Sequence, residues 1–290
     1  MSNKPSYLIF TDLDGTLLDH FSYSHAPADQ LIPVLQHAGI PIIINTSKTF
    51  AEVTDLQSKL GIQAPFIVEN GAAVFLPKSL FIDCPKECHS YQNYWMKTFS
   101  QPRETWIELL KAQGAIYSDQ FQGFSELSAK TIANLTGLAL EDAEKANQRM
   151  FNEPVLWHDN EDKADEFISH IKAHGANVLR GGRFIHVGDF TDKGRALEWL
   201  ASLYHTDKSQ QQTTIALGDG DNDTAMLEAA HLSVQVRSPV HSFPTLNNAS
   251  FIYQTQGYGP QGWVEAITFL TQDILNPDNT TIMLEERKYG

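Results

Sequence analysis

Cysteine is nearly missing from this chain of 290 residues: only Cys84 and Cys88 occur. Two thiols cannot staple a disulfide-dense scaffold, and a lone CxxxC followed by His89 supplies at most half of a zinc site. Reduced thiols in a cytoplasmic protein are the expectation. Long apolar runs are missing too. No stretch approaches the ~20 residues that cross a bilayer, and the opening MSNKPSYLIF lacks the apolar core of a signal peptide. Basic side chains are in deficit, 21 Lys and Arg against 35 Asp and Glu, for a net charge of −14. That field argues against nucleic acid or an anionic membrane as partner, while a local basic cluster can still take a small anion. Internal repeats and low-complexity tracts are absent, which excludes solenoid and disordered classes.

What is present is alternation. YLIFTD ends an apolar run in turn chemistry, residues 28 to 38 read as a helix closed by Gly39, and PIIINTS (41 to 47) reads as a buried strand. A helix from Thr49 to Leu60 stops at Gly61. FIVENGAAVFLP (66 to 77) reads as two short strands about an Asn-Gly turn. The pattern resumes with a helix over 191 to 204, its N-cap at Thr191 or Asp192, and the strand of TTIALGDGDND (213 to 223). A helix to Ala230, the strand LSVQV and a helix over 261 to 271 follow, then a polar tail after Asn276, expected to be loosely ordered. Such alternation predicts a doubly wound parallel sheet. Between the halves, residues 88 to 186 read as a mixed insertion, with helices over 103 to 113 and 128 to 151 and strands in EPVLWHD and GANVLRGGRFIHV.

Three of the expected strands end in chemically active residues: Asp12 and Asp14, then Thr46, Ser47 and Lys48, then Asp219 and Asp223. Ligands of open parallel sheets bind beyond the carboxyl ends of the strands, so the three groups are expected along one edge. Four ionised carboxylates cannot share a site without a cation, and hard oxygen donors suit Mg²⁺. A carboxylate held there can attack phosphorus, and one two residues on can reach the leaving-group oxygen. The transferring group then needs a cation and a hydroxyl donor, roles for which Lys193 and Thr46 are placed.

DLDGT (12 to 16), Thr46, Lys193 and GDGDND (218 to 223) together resemble the four motifs of the haloacid dehalogenase (HAD) superfamily of phosphatases. The resemblance implies an α/β, HAD-like doubly wound parallel sheet, a Rossmann-like core over 1–87 and 187–290, with an inserted α+β cap domain of the second class (C2B) over 88–186. It implies Asp12 as nucleophile and Asp14 as general acid and base. Mg²⁺ would be held by Asp12, the backbone carbonyl of Asp14 and Asp219, with Asp223 in support. Within that superfamily, NTSKTFAEV, ENGA, TGL (136 to 138), RMFNEPVLW, GGRFIHV with its following DKG, and GPQGW resemble the mannosyl-3-phosphoglycerate phosphatases. That likeness implies hydrolysis of a glycosyl-3-phosphoglycerate to the glycosylglycerate, a compatible solute, and phosphate. NTSKT departs from the two serines that family members often carry before the lysine, and the tail after Asn276 carries no family motif.

Candidate substrate contacts are Ser47, Lys48, Glu69, Asn70 and Arg183. An arginine suits a glycerate carboxylate, and Gly181 and Gly182 let the backbone at Arg183 approach closely. Each has a plainer reading: Glu69 and Asn70 as a tight turn, Arg183 as a surface ion pair, Thr46 as a helix cap, Asp223 as a helix-terminus charge. Trp157 and Phe184 read as cap core, His186 as a core or rim residue, and Asp19 as a polar loop residue. The insertion is expected to close over substrate about hinges near Asp83 and Gly188. A broad sugar-phosphate phosphatase of the same capped class, and a catalytically silent binding protein, are the alternatives.

Overall fold

The computed structural model describes residues 7–181, 184–204 and 212–275. The first part of the chain forms β1 (Tyr7–Thr11), α1 (Ala28–His37), β2 (Ile42–Asn45), α2 (Phe50–Leu60), β3 (Phe66–Val68), β4 (Ala73–Pro77), β5 (His89–Tyr91) and β6 (Tyr94–Thr98). The middle forms α3 (Arg103–Gln113), β7 (Phe121–Gly123), α4 (Ala129–Thr136), α5 (Leu140–Asn147), β8 (Asn152–Trp157), α6 (Glu161–Ala173), β9 (Asn177–Gly181) and β10 (Phe184–Gly188). The chain then returns as α7 (Lys193–Ser202), β11 (Thr213–Gly218), α8 (Thr224–Ala229), β12 (Leu232–Arg237), β13 (Ile252–Tyr258), α9 (Gly259–Leu270) and α10 (Gln272–Leu275).

The larger sheet has the order β13-β12-β11-β1-β2-β3-β4-β6-β5. Strands β13 through β3 in that order run parallel, and β4, β6 and β5 add an antiparallel edge. Alternation along β1 sets the layers. Leu8 and Phe10 pack with Leu197 and Leu200 of α7 and Met226 of α8. Ile9 faces the other way, into a core with Ile32 and Leu35 of α1 and Trp263 of α9. Burial on both faces is why these strands read as continuous apolar runs. α2 starts at Thr49, whose side chain takes the Glu52 N–H in a full capping box, and ends at a left-handed Gly61.

The second sheet, β7-β8-β10-β9, is antiparallel. Trp106 and Leu110 of α3 and Phe167 and Ile171 of α6 cover the face that carries Val155, Val178, Ile185 and Val187. Phe184 stacks edge-on against Phe124 at 4.8 Å in a smaller cluster.

Several expectations need adjustment. The boundary at residue 88 falls ahead of β5 and β6, which belong to the larger sheet: β6 pairs with β4 and β5 with β6. The chain passes between the sheets at residues 99–102 and again after Gly188, where the Gln101 N–H donates to Asp189 Oδ2 at 3.2 Å. Asp83 lies between β4 and β5, away from that crossing. The helix expected over 128–151 is two, because Gly137 adopts a left-handed conformation that ends α4. Strand β13 is an edge strand of alternating burial with polar side chains, which hides it from an apolar-run reading. Arg183 and the tail beyond residue 275 lie outside the described residues. No described helix is long and apolar enough to cross a membrane.

Candidate functional site

Adjacency of β11, β1 and β2 in the sheet brings their carboxyl ends together, and Thr11 pairs with both Leu217 and Ile44. Asp12 is the first residue past β1, its N–H bound to the Leu217 carbonyl at 2.9 Å. Lys193 opens α7 behind an Asp192 cap and is fully buried. Its ammonium donates to Asp12 Oδ1 and to Asp223 Oδ1, each at 2.6 Å. Asp223 Oδ2 accepts the N–H groups of Asp219 and Gly220, both at 3.1 Å. Carboxylate oxygens of Asp12, Asp219 and Asp223 lie within 4.8 Å of one another. Thr16 donates to Asp219 Oδ1 at 3.3 Å, and His241 Nε2 lies 3.3 Å from Asp219 Oδ2. Gly15 takes a positive φ hard against Asp219, where a Cβ would collide with the carboxylate.

Three carboxylates against one buried ammonium leave two uncompensated negative charges. A divalent cation would balance that charge, and three oxygen donors within 4.8 Å of one another suit a hard one. Burial drives the Asp12 carboxyl up to about 8; Lys193 opposes this, and the Asp223 and Asp14 charges reinforce it. Burial raises Asp219 as well, with Asp223 adding repulsion. Lys193 is penalised by burial, yet Asp12 and Asp223 together hold it protonated beyond its ordinary range.

That shift has a sign. A folded value near 8 against 3.8 for an ordinary Asp means the metal-free folded state retains a proton that the unfolded chain releases. The stabilisation is complete below about pH 4 and is lost as pH climbs to about 8. Melting temperature in chelator is therefore expected to fall across that window, and Asp12→Asn to flatten the fall. Mg²⁺ needs the deprotonated ligand, so its stabilising effect grows over the same range. A chelated melting curve independent of pH would contradict this.

Beyond β2, Thr46 is buried and its hydroxyl accepts the Lys48 N–H at 3.3 Å. Asn45 Nδ2 donates to the Lys193 carbonyl at 2.9 Å, locking the end of β2 to the start of α7. The Lys48 ammonium sits 2.8 Å from Asp14 Oδ2 and 3.9 Å from Glu52 Oε1. Burial works against its charge, but Asp14 and Glu52 raise it above the usual lysine value. The other Asp14 oxygen, Oδ1, is buried with no hydrogen-bond partner among the described residues. The Asp14 side chain thus stands apart from the three-carboxylate cluster and faces Lys48 instead.

Glu69 departs from its sequence reading as a sugar contact. Its carboxylate accepts the N–H groups of Met150, Phe151 and Asn152 at 2.7, 3.1 and 3.1 Å, and Asn152 Nδ2 at 2.8 Å. Arg149 Nε lies 3.6 Å away, while its Nη2 donates to the Ser47 carbonyl at 2.8 Å. Burial raises the Glu69 carboxyl, and Arg149 and the three N–H groups oppose it. Every group facing the two oxygens is a donor, so this geometry requires the carboxylate. Glu69 therefore clasps the larger sheet to the segment between α5 and β8. Glu69→Gln turns an N–H against those donors and leaves buried groups unpaired. The expected loss is about 1–3 kcal/mol in a denaturation experiment, and an unchanged midpoint would refute the clasp.

Asn70 does stay with the site. Its N–H donates to the Thr46 carbonyl at 2.9 Å, and its Oδ1 lies 3.5 Å from Asn222 Nδ2 in the acidic loop. Ser47 contributes a backbone carbonyl to Arg149. Arg149 and Asn152 also belong to the site's surroundings, and both lie in RMFNEPVLW. Nothing in their spacing to Glu69 signals a contact made about eighty residues away.

The parallel sheet with its acidic edge, its buried lysine and a second, smaller sheet defines a class: an open, doubly wound α/β core with a carboxylate-and-lysine site at its strand ends. A family model described as haloacid dehalogenase-like hydrolase matches residues 9–242, and the chain belongs to that family. A glucosyl-3-phosphoglycerate/mannosyl-3-phosphoglycerate phosphatase of Methanococcoides burtonii is 34% identical over 277 residues, 94% of this chain and 98% of the relative. Another so named, from Persephonella marina, is 35% identical over 272 residues, 92% and 98% of the two chains. Among solved structures, the HAD-superfamily phosphatase BT1666 from Bacteroides thetaiotaomicron superposes with a TM-score of 0.62 at 16% identity, covering 92% and 95% of the two chains. That likeness supports the fold.

Proposed function

We propose that this protein is a Mg²⁺-dependent phosphatase hydrolysing a glucosyl- or mannosyl-3-phosphoglycerate to the glycosylglycerate and phosphate. The observation that carries the chemistry is the buried Lys193 bridging Asp12 and Asp223 beside Asp219 at the end of β1. The relatives named above support the substrate, because the likeness runs through the inserted domain, where specificity against simpler esters would reside.

Asp12 is the nucleophile. One carboxylate oxygen attacks phosphorus, the bond from phosphorus to the glycerate oxygen breaks, and Asp12 carries the phosphoryl group as an acyl phosphate. Asp14 donates its proton to the departing oxygen and later takes one from the water that attacks the same phosphorus, returning Asp12 as carboxylate. The free Asp14 Oδ1 is the oxygen for that exchange, with Lys48 fixing the carboxyl through Oδ2. Lys193 places positive charge against the reacting carboxylate, and Thr46 offers a hydroxyl to the phosphoryl oxygens. Lys48 and Arg183 are proposed to receive the glycerate carboxylate.

Mg²⁺ would be held by the carboxylates of Asp12 and Asp219 and the carbonyl of Asp14. Asp223 serves from behind, since Lys193 and two backbone N–H groups engage both its oxygens. When bound, the ion neutralises the cluster and withdraws charge from the phosphoryl group. Removing metal is expected to abolish phosphate release and restoring Mg²⁺ to recover it, followed as free phosphate from glycosyl-3-phosphoglycerate. Full activity after exhaustive chelation would sink the metal-dependent reading.

A further inference from the structure

Asp19 and the loop behind it are left without work by the chemistry above, yet the loop is built with unusual care. Asp19 Oδ1 accepts the N–H groups of Phe21 and Ser22, at 3.2 and 2.8 Å, and the Ser22 hydroxyl at 2.7 Å. The Asp19 carbonyl takes the Tyr23 N–H at 3.0 Å, and the Asp19 N–H donates to the Ser24 carbonyl at 2.8 Å. Gly259 of the GPQGW segment lies against the Asp19 backbone. Together these bonds hold Tyr23 at φ 56°, a left-handed conformation that a side-chain-bearing residue adopts at a cost. Strain held by a tight hydrogen-bonded loop invites a functional reading.

The side chain so placed stands at the mouth of the site. Lys48 Nζ lies 5.4 Å from the Tyr23 ring centroid and 2.8 Å from Asp14 Oδ2. Tyr23 nonetheless remains 48% exposed. One side of the ring is therefore occupied by the cation that steadies Asp14, and a large part of the rest is open. Asp14 is the residue assigned to the leaving-group oxygen, so a group beside it and Lys48 is on the leaving-group side. An exposed aromatic face there suits the C–H face of a pyranose ring, an apolar surface rimmed by hydroxyls.

We infer that Tyr23, positioned by Asp19, is a stacking platform for the sugar of the leaving group and a determinant of selectivity for glycosylated over plain phosphoglycerate. The inference rests on the substrate reading above. The test compares kcat/KM for glucosyl-3-phosphoglycerate with that for 3-phosphoglycerate, the same ester without its sugar. Tyr23→Ala is expected to cut the preference for the glycosylated ester by about tenfold, mainly through KM. Tyr23→Phe, which keeps the ring face, should stay within about threefold of wild type. Asp19→Ala should reproduce the Tyr23→Ala loss of selectivity, because the ring is no longer held in place. A purely structural role would lower both rates together and shift the melting temperature. An unchanged ratio in Tyr23→Ala overturns the inference, whatever happens to overall activity. If the wild-type protein ignores glucosyl- and mannosyl-3-phosphoglycerate alike, the substrate reading fails on its own. The platform is then decided by the same ratio measured between glucose 6-phosphate and glycerol 3-phosphate.

Discussion

Phosphate release by Asp12→Asn is expected to fall by on the order of 10⁴-fold or more, the scale on which removal of a nucleophile is felt. The amide nitrogen and carbonyl of asparagine do not attack phosphorus at a useful rate, and no second carboxylate occupies the place at the end of β1. Asp223, in the same cluster, has both oxygens engaged. Loss of fold does not explain such a result. Asparagine has the same size, its oxygen can still accept from Lys193, and it removes a charge that burial already opposes. The variant is thus expected to melt no lower than wild type in chelator near pH 8. A variant that retains even a hundredth of wild-type activity would place the nucleophile elsewhere.

Lys193→Met is expected to have the second large effect, one that separates stability from catalysis. Methionine fills most of the volume but supplies no charge, leaving Asp12 and Asp223 buried without their common partner. Breaking a buried pair in this way costs about 3–5 kcal/mol, expected in full in chelator. Mg²⁺ can neutralise the same carboxylates, so the deficit should shrink when the ion is added. Activity should not return with it: loss of a fixed cation beside the reacting group lowers the rate by about 10²–10³-fold. Stability rescued by Mg²⁺ with the rate still depressed is the expected pattern. A rate within tenfold of wild type would reduce Lys193 to a packing residue.

The acidic edge was legible because its strands announce themselves. YLIFT, IIIN and TTIALG are apolar runs that end in Asp12, Thr46 and Asp219, and topology alone brings such ends together. Lys193 could be placed because the motif puts it at a helix start, where Asp192 does cap α7. The less visible elements depend on partners far along the chain. Strands β5 and β6, HSY and YWMKT, are short and half-exposed, and become strands only by pairing with each other and, through β6, with β4. Glu69 looked like part of an Asn-Gly turn because its partners are mainly backbone N–H groups, which carry no sequence signal. Asp19 looked like any loop acid, and its value appears only when Tyr23 is seen beside Lys48. In each case, local chemistry could name the residue type but not the group it would meet.

The most direct test of the account is a substrate panel with purified protein and Mg²⁺. Phosphate release would be measured from mannosyl- and glucosyl-3-phosphoglycerate, 3-phosphoglycerate and common hexose phosphates. The account predicts that kcat/KM for at least one glycosyl-3-phosphoglycerate exceeds that for every hexose phosphate by about 100-fold or more, as expected of a site that pairs with the carboxylate and the sugar together. Equal values across the panel would contradict it and leave a broad sugar-phosphate phosphatase in its place.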